Sequence, residues 1–428
     1  MKFFCSWLLF FAAALALWAD QAGDLASRAE QQARSGDASG ALSTLDKASK
    51  ELSISAASED KIGFLYAVLG RQSEAIDCFG KAIAKDAKFA PAHYHLGVAL
   101  WLAKEYDRAV PELEQAVRFS PQTFDYRYRL GSAYLQTGNN EKAAPELRQA
   151  VTIDGTKADA WSSLGRALQG NRDLASAVKA YEQALKLDGA NDNTRSEYAT
   201  MLIETRQPDR AIEELQSILK RDPKNANVRV NLGYAYLKKG DFDQAAAVFR
   251  EALASDPNSP AAHYDLGIAL KMKDQIEGAQ KEFQETIRLD PSLPEAHYTL
   301  GITDWQAGDF RGTIEQMRAA LSIRPDYAEA HYMLGIALKQ SGDLDGAIPE
   351  LREAIRLDPS TPGPYNTLGQ ILRIKGDLEG SKEAFATGAR LKREKESQLA
   401  NTLEQGMRGG TMPTPLPASR SAAAQPRN

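Results

Sequence analysis

Four of the five histidines in this 428-residue chain stand in phase: His93, His263, His297 and His331 are separated by multiples of 34 residues. Imidazoles bind metals, move protons and sense pH, so metal chemistry is the first reading to test. A zinc ion holds nitrogen ligands at about 2 Å, whereas neighbouring packed helices stand about 8–10 Å apart. Equivalent histidines of successive helical units therefore do not converge on one ion. His95, two residues from His93, points away from it on a helix. Trp161 occupies the same phase as the four, which favours packing or hydrogen bonding.

Other chemistry is equally thin. The sequence has no GxSxG elbow, no HExxH pair and no phosphate-cradling glycine loop. Paired acids such as Glu213 and Glu214 lie among basic residues and read as a solvated helix face. No catalytic residue, metal ligand set or cofactor site is expected, and the chain reads as a non-enzyme. A second in-phase series follows directly after the histidines: Tyr94, Tyr264, Tyr298 and Tyr332, with Tyr128 at the equivalent place in another unit. Rigid rings carrying a hydroxyl suit the holding of an extended segment or a helix. The same rings could instead fill space between adjacent helices.

The elements behind these series are set by a period of 34. Glycine or alanine recurs at Ala29, Gly63, Gly97, Gly131, Gly165, Ala199, Gly233, Gly267, Gly301, Gly335 and Gly369, which defines eleven units without an insertion. In residues 260–293, Ala262, Leu266, Ala269 and Leu270 form one stripe at helical spacing. Ile276, Ala279, Phe283 and Ile287 form a second after the Lys273-Asp274 turn. Two short antiparallel helices follow, closed by Asp290-Pro291, because proline stops a helix and tolerates a new start. Turns such as Gly240-Asp241 and Gly342-Asp343 supply a left-handed residue and a cap.

The unit signature resembles that of the tetratricopeptide-repeat family. Trp161, Leu164, Gly165 and Ala177 carry it in one unit, and Leu232, Gly233, Tyr236, Ala245, Phe249, Ala252 and Pro257 in another. The resemblance covers residues 22–395 and implies an all-α fold, a right-handed α-solenoid of helix-turn-helix repeats whose first helices line a concave groove. It also implies binding of a peptide or another protein, without choosing the ligand. On that basis the candidate groove residues are Tyr94, Trp101, Tyr128, Tyr234, Tyr264, Lys271, Tyr298, Trp305, Tyr332, Lys339 and Arg373. The basic-asparagine arrangement with which some members clamp a C-terminal carboxylate is missing. Lys271, Lys339 and Arg373 would still favour an acidic segment.

Asp304 departs from the pattern, since the equivalent positions include Tyr66, Leu100, Tyr236, Leu270 and Leu338. A buried, unpaired carboxylate there would be costly. It is either partly wet and paired with a nearby base, or a specialised polar point in the stack.

The two ends have a different grammar. Lys2 and the apolar run from Phe3 to Trp18 read as an export signal over residues 1–19, with a short N-terminal anchor as the alternative. Residues 396–406 read as a C-terminal capping helix bearing Leu399 and Leu403 in line with Leu391, and residues 407–428 as a disordered tail. Without the leader one cysteine remains, Cys78, expected as a buried small hydrophobe. A formal charge of -5 and no Lys/Arg stripe argue against nucleic acid. The leading expectation is an exported, periplasmic or secreted, non-catalytic scaffold that binds a protein or extended peptide along its concave face, with no membrane span once the leader is cleaved. The alternative is a structural subunit of a cell-envelope export or maturation complex.

Overall fold

The computed structural model describes residues 21–51 and 54–409, with side chains through residue 401. The expected leader and residues 410–428 of the expected tail lie outside the described residues. Every regular element described is an α-helix, 22 in all, running from Gln21–Arg34 to Leu378–Gly409. No described helix is long and apolar enough to cross a membrane. The chain forms two compact units divided between Arg221 and Asp222.

In the first unit, six hairpins run from Gln21–Arg34 with Ala38–Ala48 to Asp192–Glu204 with Pro208–Arg221. Leu45, Ile62, Phe79 and Leu100 are among its fully buried side chains. In the second, five hairpins run from Ala226–Lys239 with Phe242–Ser255 to Pro362–Ile374 with Leu378–Gly409. Phe249 and Phe283 centre one of its cores, and Met317 and Leu351 another. The last helix passes the expected boundary at residue 396 without a break, and Leu399 on it is 62% exposed.

Nine of the eleven hairpins close on an in-phase glycine. A Cβ built on Gly267 would lie 2.6 Å from the Phe283 ring, and one on Gly97 would lie 2.8 Å from Leu113. The bulky side chain of the second helix thus fills the space that the glycine vacates, sixteen residues back. Ala29 and Ala199, which do carry a Cβ, have the fully buried Leu45 and Leu215 at the same offset.

The turn between paired helices needs one left-handed residue. Gly36, Gly70, Gly138, Gly240, Gly308, Gly342 and Gly376 supply it with φ between 77° and 89°. Four repeats place other residues there: Lys104, Arg172, Arg206 and Asp274, with φ from 58° to 64°. A Cβ in that region is strained, so these turns hold energy that the glycine turns do not. The expected caps form as well: Asp241, Asp309 and Asp343 accept from the backbone N–H three residues on.

Asp304 is buried, 6% exposed, and its partner is an amide, so of the two alternatives the partly wet, base-paired one does not hold: Gln280 Nε2 donates to Oδ1 at 2.8 Å. Burial pushes its carboxyl above the usual range, the Gln280 bond opposes this and Asp309 adds to it. Its surroundings are polar in step. Thr313 stands where most other repeats carry alanine and donates to the Gly301 carbonyl at 3.1 Å, as Ser381 at the same register does to the Gly369 carbonyl, while Thr303 donates to the Thr299 carbonyl at 2.7 Å. Cys78 is buried, its thiol pushed up to about 12 by desolvation and then by Glu59.

Candidate peptide-binding faces

The in-phase histidines have a definite job. His93 sets Nδ1 2.6 Å from Glu112 on its own second helix and Nε2 3.1 Å from the Ala87 carbonyl in the preceding turn. His263 does the same with Glu282 and Pro257, and His331 with Glu350 and Pro325. His297 reaches Gln316 at 2.8 Å. The slot is not reserved for imidazole. Arg127 donates to Glu146 at 2.6 Å and to the Pro121 carbonyl at 2.7 Å. Arg195 bonds Glu214 and donates to the Gly189 carbonyl at 2.7 Å.

At Ala180 and Ala384 the second helix has no acceptor nineteen residues on, and the slot holds Trp161 and Tyr365; opposite Val248 it holds Arg229, which donates to the Pro223 carbonyl. Trp161 and Tyr365 donate to the preceding turn alone, Trp161 at 2.9 Å and Tyr365 at 3.4 Å. From His93 to Tyr365 the slot holds a side chain that bonds the preceding turn, the second helix or both, while Glu59 at the same register accepts from Lys85. Among the described residues, no group of three or more His, Cys, Asp or Glu side chains is arranged to hold a metal ion. The recurring partner at a fixed offset, Glu112, Glu146, Glu214, Glu282 and Glu350, was a legible signal that the sequence reading passed over.

The tyrosine series sits next to this slot on the first helices. In the first unit, Tyr94 stacks on Tyr126 of the following repeat, ring centroids 4.6 Å apart. Tyr128 lies against Phe124 one turn earlier, at 5.6 Å. Trp101 packs on Tyr106 of its own second helix, at 4.4 Å. All three are half-buried.

In the second unit, Tyr264 rests on Phe283 at 5.7 Å and its hydroxyl meets Thr299 of the next repeat at 3.1 Å. Tyr298 packs on Tyr327 at 5.0 Å, and burial, then the Glu329 charge, raises its phenol. The Tyr332 hydroxyl approaches Gly363 of the following repeat so closely that a Cβ there would be 2.6 Å from it. Trp305 packs on Phe310 at 4.8 Å, and Lys238 lies 5.1 Å over the Tyr234 ring. These rings too are half-buried, so each contacts the array on one side and keeps part of its surface open.

The three basic candidates differ from one another. Lys271 is half-buried and its ammonium is lowered by desolvation alone. Lys339 donates to Gln370, and Arg373 is exposed. Between the aromatic stretches, repeats five and six carry a polar cluster that the sequence reading did not single out. Ser162 and Thr194 are 3.1 Å apart, and Arg166 donates to Ser163 at 3.2 Å. Glu197 is raised by burial, against the opposing charge of Arg166 and bonds from Tyr181 and Ser162.

Comparison with known proteins agrees with this period. Residues 142–262 match the tetratricopeptide-repeat domain of cytochrome c-type biogenesis protein H. Residues 236–301 match one general tetratricopeptide-repeat family, and residues 65–123, 105–160 and 298–362 another. None of the curated proteins compared matches the chain. Among solved structures, MamA from residue 41 to its end, from Desulfovibrio magneticus RS-1, is 22% identical with a TM-score of 0.37, spanning 40% of this chain and 96% of that one. Yeast Tom70 is 14% identical with a TM-score of 0.44, spanning 91% of this chain and 96% of that one. YrrB, described as a repeat protein with an unusual peptide-binding site, is 20% identical with a TM-score of 0.37, spanning 43% and 95%. Matched in overlapping stretches from residue 65 to 362 and built of paired helices in that period, the chain is a tetratricopeptide-repeat protein of α-solenoid architecture.

Proposed function

We propose that this protein is an exported scaffold that holds an extended peptide or a protein partner against the tyrosine-bearing first helices. The observation that carries the reading is the run Tyr264, Tyr298 and Tyr332: three consecutive repeats present a half-buried ring at one register. Amphipathic rings fixed on one side and open on the other offer contact area at little entropic cost. Trp101, Tyr94 and Tyr128 make a corresponding patch in the first unit, while Lys271, Lys339 and Arg373 bias the second towards acidic segments. Export rests on the leader-like residues 1–19, which make the periplasm or the outside medium the place of action.

The test replaces Tyr298 and Tyr332 together by leucine, which keeps apolar bulk and removes ring and hydroxyl. Binding to a partner recovered with the full chain should weaken about tenfold or more, with amide-exchange protection of the second helices unchanged. Unchanged affinity would sink the proposal, and loss of protection in step with binding would assign the rings to packing.

A second reading is favoured by the match of residues 142–262 to the domain from a cytochrome c biogenesis protein: a structural subunit of an envelope export or maturation assembly. That role would use the outer faces, and co-purification with large partners would survive the leucine substitutions.

A further inference from the structure

Two rows run along the first helices of repeats eight to ten. Tyr264, Tyr298 and Tyr332 form one, and Ile268, Ile302 and Ile336, four residues on and so on the same helix face, form the other. All six are half-buried, which leaves a shallow apolar strip with a hydroxyl edge. Successive packed helices stand about 8–10 Å apart. A polyproline-II chain rises about 3.1 Å per residue with three residues per turn, so each of its edges recurs at about 9 Å and matches that spacing. Aromatic-lined grooves take such chains readily, because the preformed helix loses little entropy on docking.

The sequence supplies a segment of that kind in Met412-Pro413-Thr414-Pro415-Leu416-Pro417, beyond the described residues. At three residues per turn, Met412 and Pro415 share one edge, Pro413 and Leu416 the next, and Thr414 and Pro417 the third, so two adjacent edges are fully apolar. Its place in the chain keeps this segment off its own array. The last helix, Leu378–Gly409, is 32 residues long where its predecessor Leu344–Leu357 is 14. Residues 392–401 are exposed throughout, and the pairs Arg390–Glu394 and Lys392–Glu396 brace successive turns at 2.8 and 3.9 Å. The added length carries Gly409 about 27 Å past the end of the repeat. Leu416 comes seven residues later, a reach of about 25 Å at full extension. That does not return it even to the last repeat, and Tyr332 lies in the one before.

We propose that residues 412–417 of one copy dock on the tyrosine and isoleucine rows of a second copy. The helical arm holds the segment out, so that it meets a neighbour and not its own repeats. This rests on the peptide-binding reading and deepens it by naming the occupant and its chemistry, proline-rich and apolar. From Gly410 to the end the chain carries Arg420 and Arg427 and no acid side chain. The two rows therefore hold it without help from Lys271 or Lys339, and the contact is insensitive to salt.

The test is sedimentation of the full chain over a concentration series, beside two variants that keep the same N-terminal segment. One combines Pro413→Ala, Pro415→Ala and Pro417→Ala, which lie past the last helix and leave the array alone. The other combines Tyr298→Leu and Tyr332→Leu. The full chain should self-associate, and each variant should need about tenfold higher concentration or more to do so. Mixing the two variants should restore part of the association, because each supplies the half that the other lacks. A labelled peptide of residues 410–420 should bind the proline variant, where no tail competes, at low and high salt alike, and should bind the tyrosine variant about tenfold more weakly. A chain that stays monomeric at every concentration, or that associates equally after the proline substitutions, overturns the proposal. So does a peptide held equally by both variants. Partner capture lost in the tyrosine variant and kept in the proline variant would then leave the scaffold reading standing, whereas capture untouched by the tyrosine substitutions counts against that reading as well.

Discussion

Asp304 offers the sharpest test of the packing argument, because its neighbours in register show what the position otherwise holds. Leu270 and Leu338, one repeat before and after, are each 4% exposed, and Asp304 is 6% exposed. A leucine buried there contributes about 1.5–3 kcal/mol relative to water. Against this, Asp304→Leu strands the Gln280 amide, at about 1–3 kcal/mol if it stays dry and less if it turns to solvent. Removing the desolvated carboxylate adds to the gain, since burial is what raises its titration.

The net expectation is stabilisation of about 1–2 kcal/mol near neutral pH for the leucine variant, and about 1 kcal/mol for Asp304→Asn, which keeps the acceptor for Gln280. The sign with pH follows from the raised carboxyl. The folded state binds the proton more tightly than the unfolded chain, so wild-type stability falls as pH rises from the ordinary aspartate range of 3.8 through the folded value, then stays at the lower level. The advantage of Asp304→Asn should therefore be present at pH 7 and shrink as acid protonates Asp304. Because repeat arrays open locally, the assay is native-state hydrogen exchange of the Pro294–Gln306 helix amides over a pH series, not one global melting point. Destabilisation by both variants at pH 7, or a gain that ignores pH, would refute the desolvation argument and point to an ionised Asp304 with a role of its own.

Other outcomes can be read with the same tools. Gly267→Ala should cost about 1–3 kcal/mol by driving a Cβ into Phe283, and adding Phe283→Leu should recover part of it, as Ala199 coexists with Leu215; a neutral single variant would show that the ring has room. Lys104→Gly and Arg172→Gly should each stabilise by about 0.5–1 kcal/mol through relief of the left-handed turn, to be read in urea unfolding, and a loss of stability would mean the side chains matter more than the strain. His331→Ala should weaken its repeat by about 1–2 kcal/mol by freeing Glu350 and the Pro325 carbonyl. His331→Arg should not, because Arg127 and Arg195 fill the same slot; equal losses from both would deny the slot its bonding role.

Fold class was legible because one signal was repeated eleven times in register. Gly267 and Phe283 mean little as a pair, but the same spacing at Gly97 and Leu113, and again at Gly335 and Leu351, fixes which residues meet. The histidines were legible as structural from phase alone, although their acceptors were not, since the acceptor offset shows only when repeats with Glu and with Ala are compared. For Asp304, sequence could mark the anomaly but not its partner: Gln280 is 24 residues away and belongs to the preceding repeat.

The turn-to-hairpin bonds also bear on how such an array can change length. In the repeat of His93, the donor, its turn carbonyl at Ala87, its acid at Glu112 and the glycine plug Gly97–Leu113 all fall between residues 87 and 113. The next set opens at Pro121. A breakpoint between 114 and 120, joined to the equivalent point one period on, removes or adds a whole repeat while severing neither device. Breakpoints inside residues 87–113 join the halves of two different slots, so a His or Arg donor can end up facing an alanine. In-frame deletions of 34 residues made at the first kind of point should leave thermal unfolding close to that of the parent, and those made at the second should not. Recombination tolerance would thus be written along each repeat with the same period as its glycine.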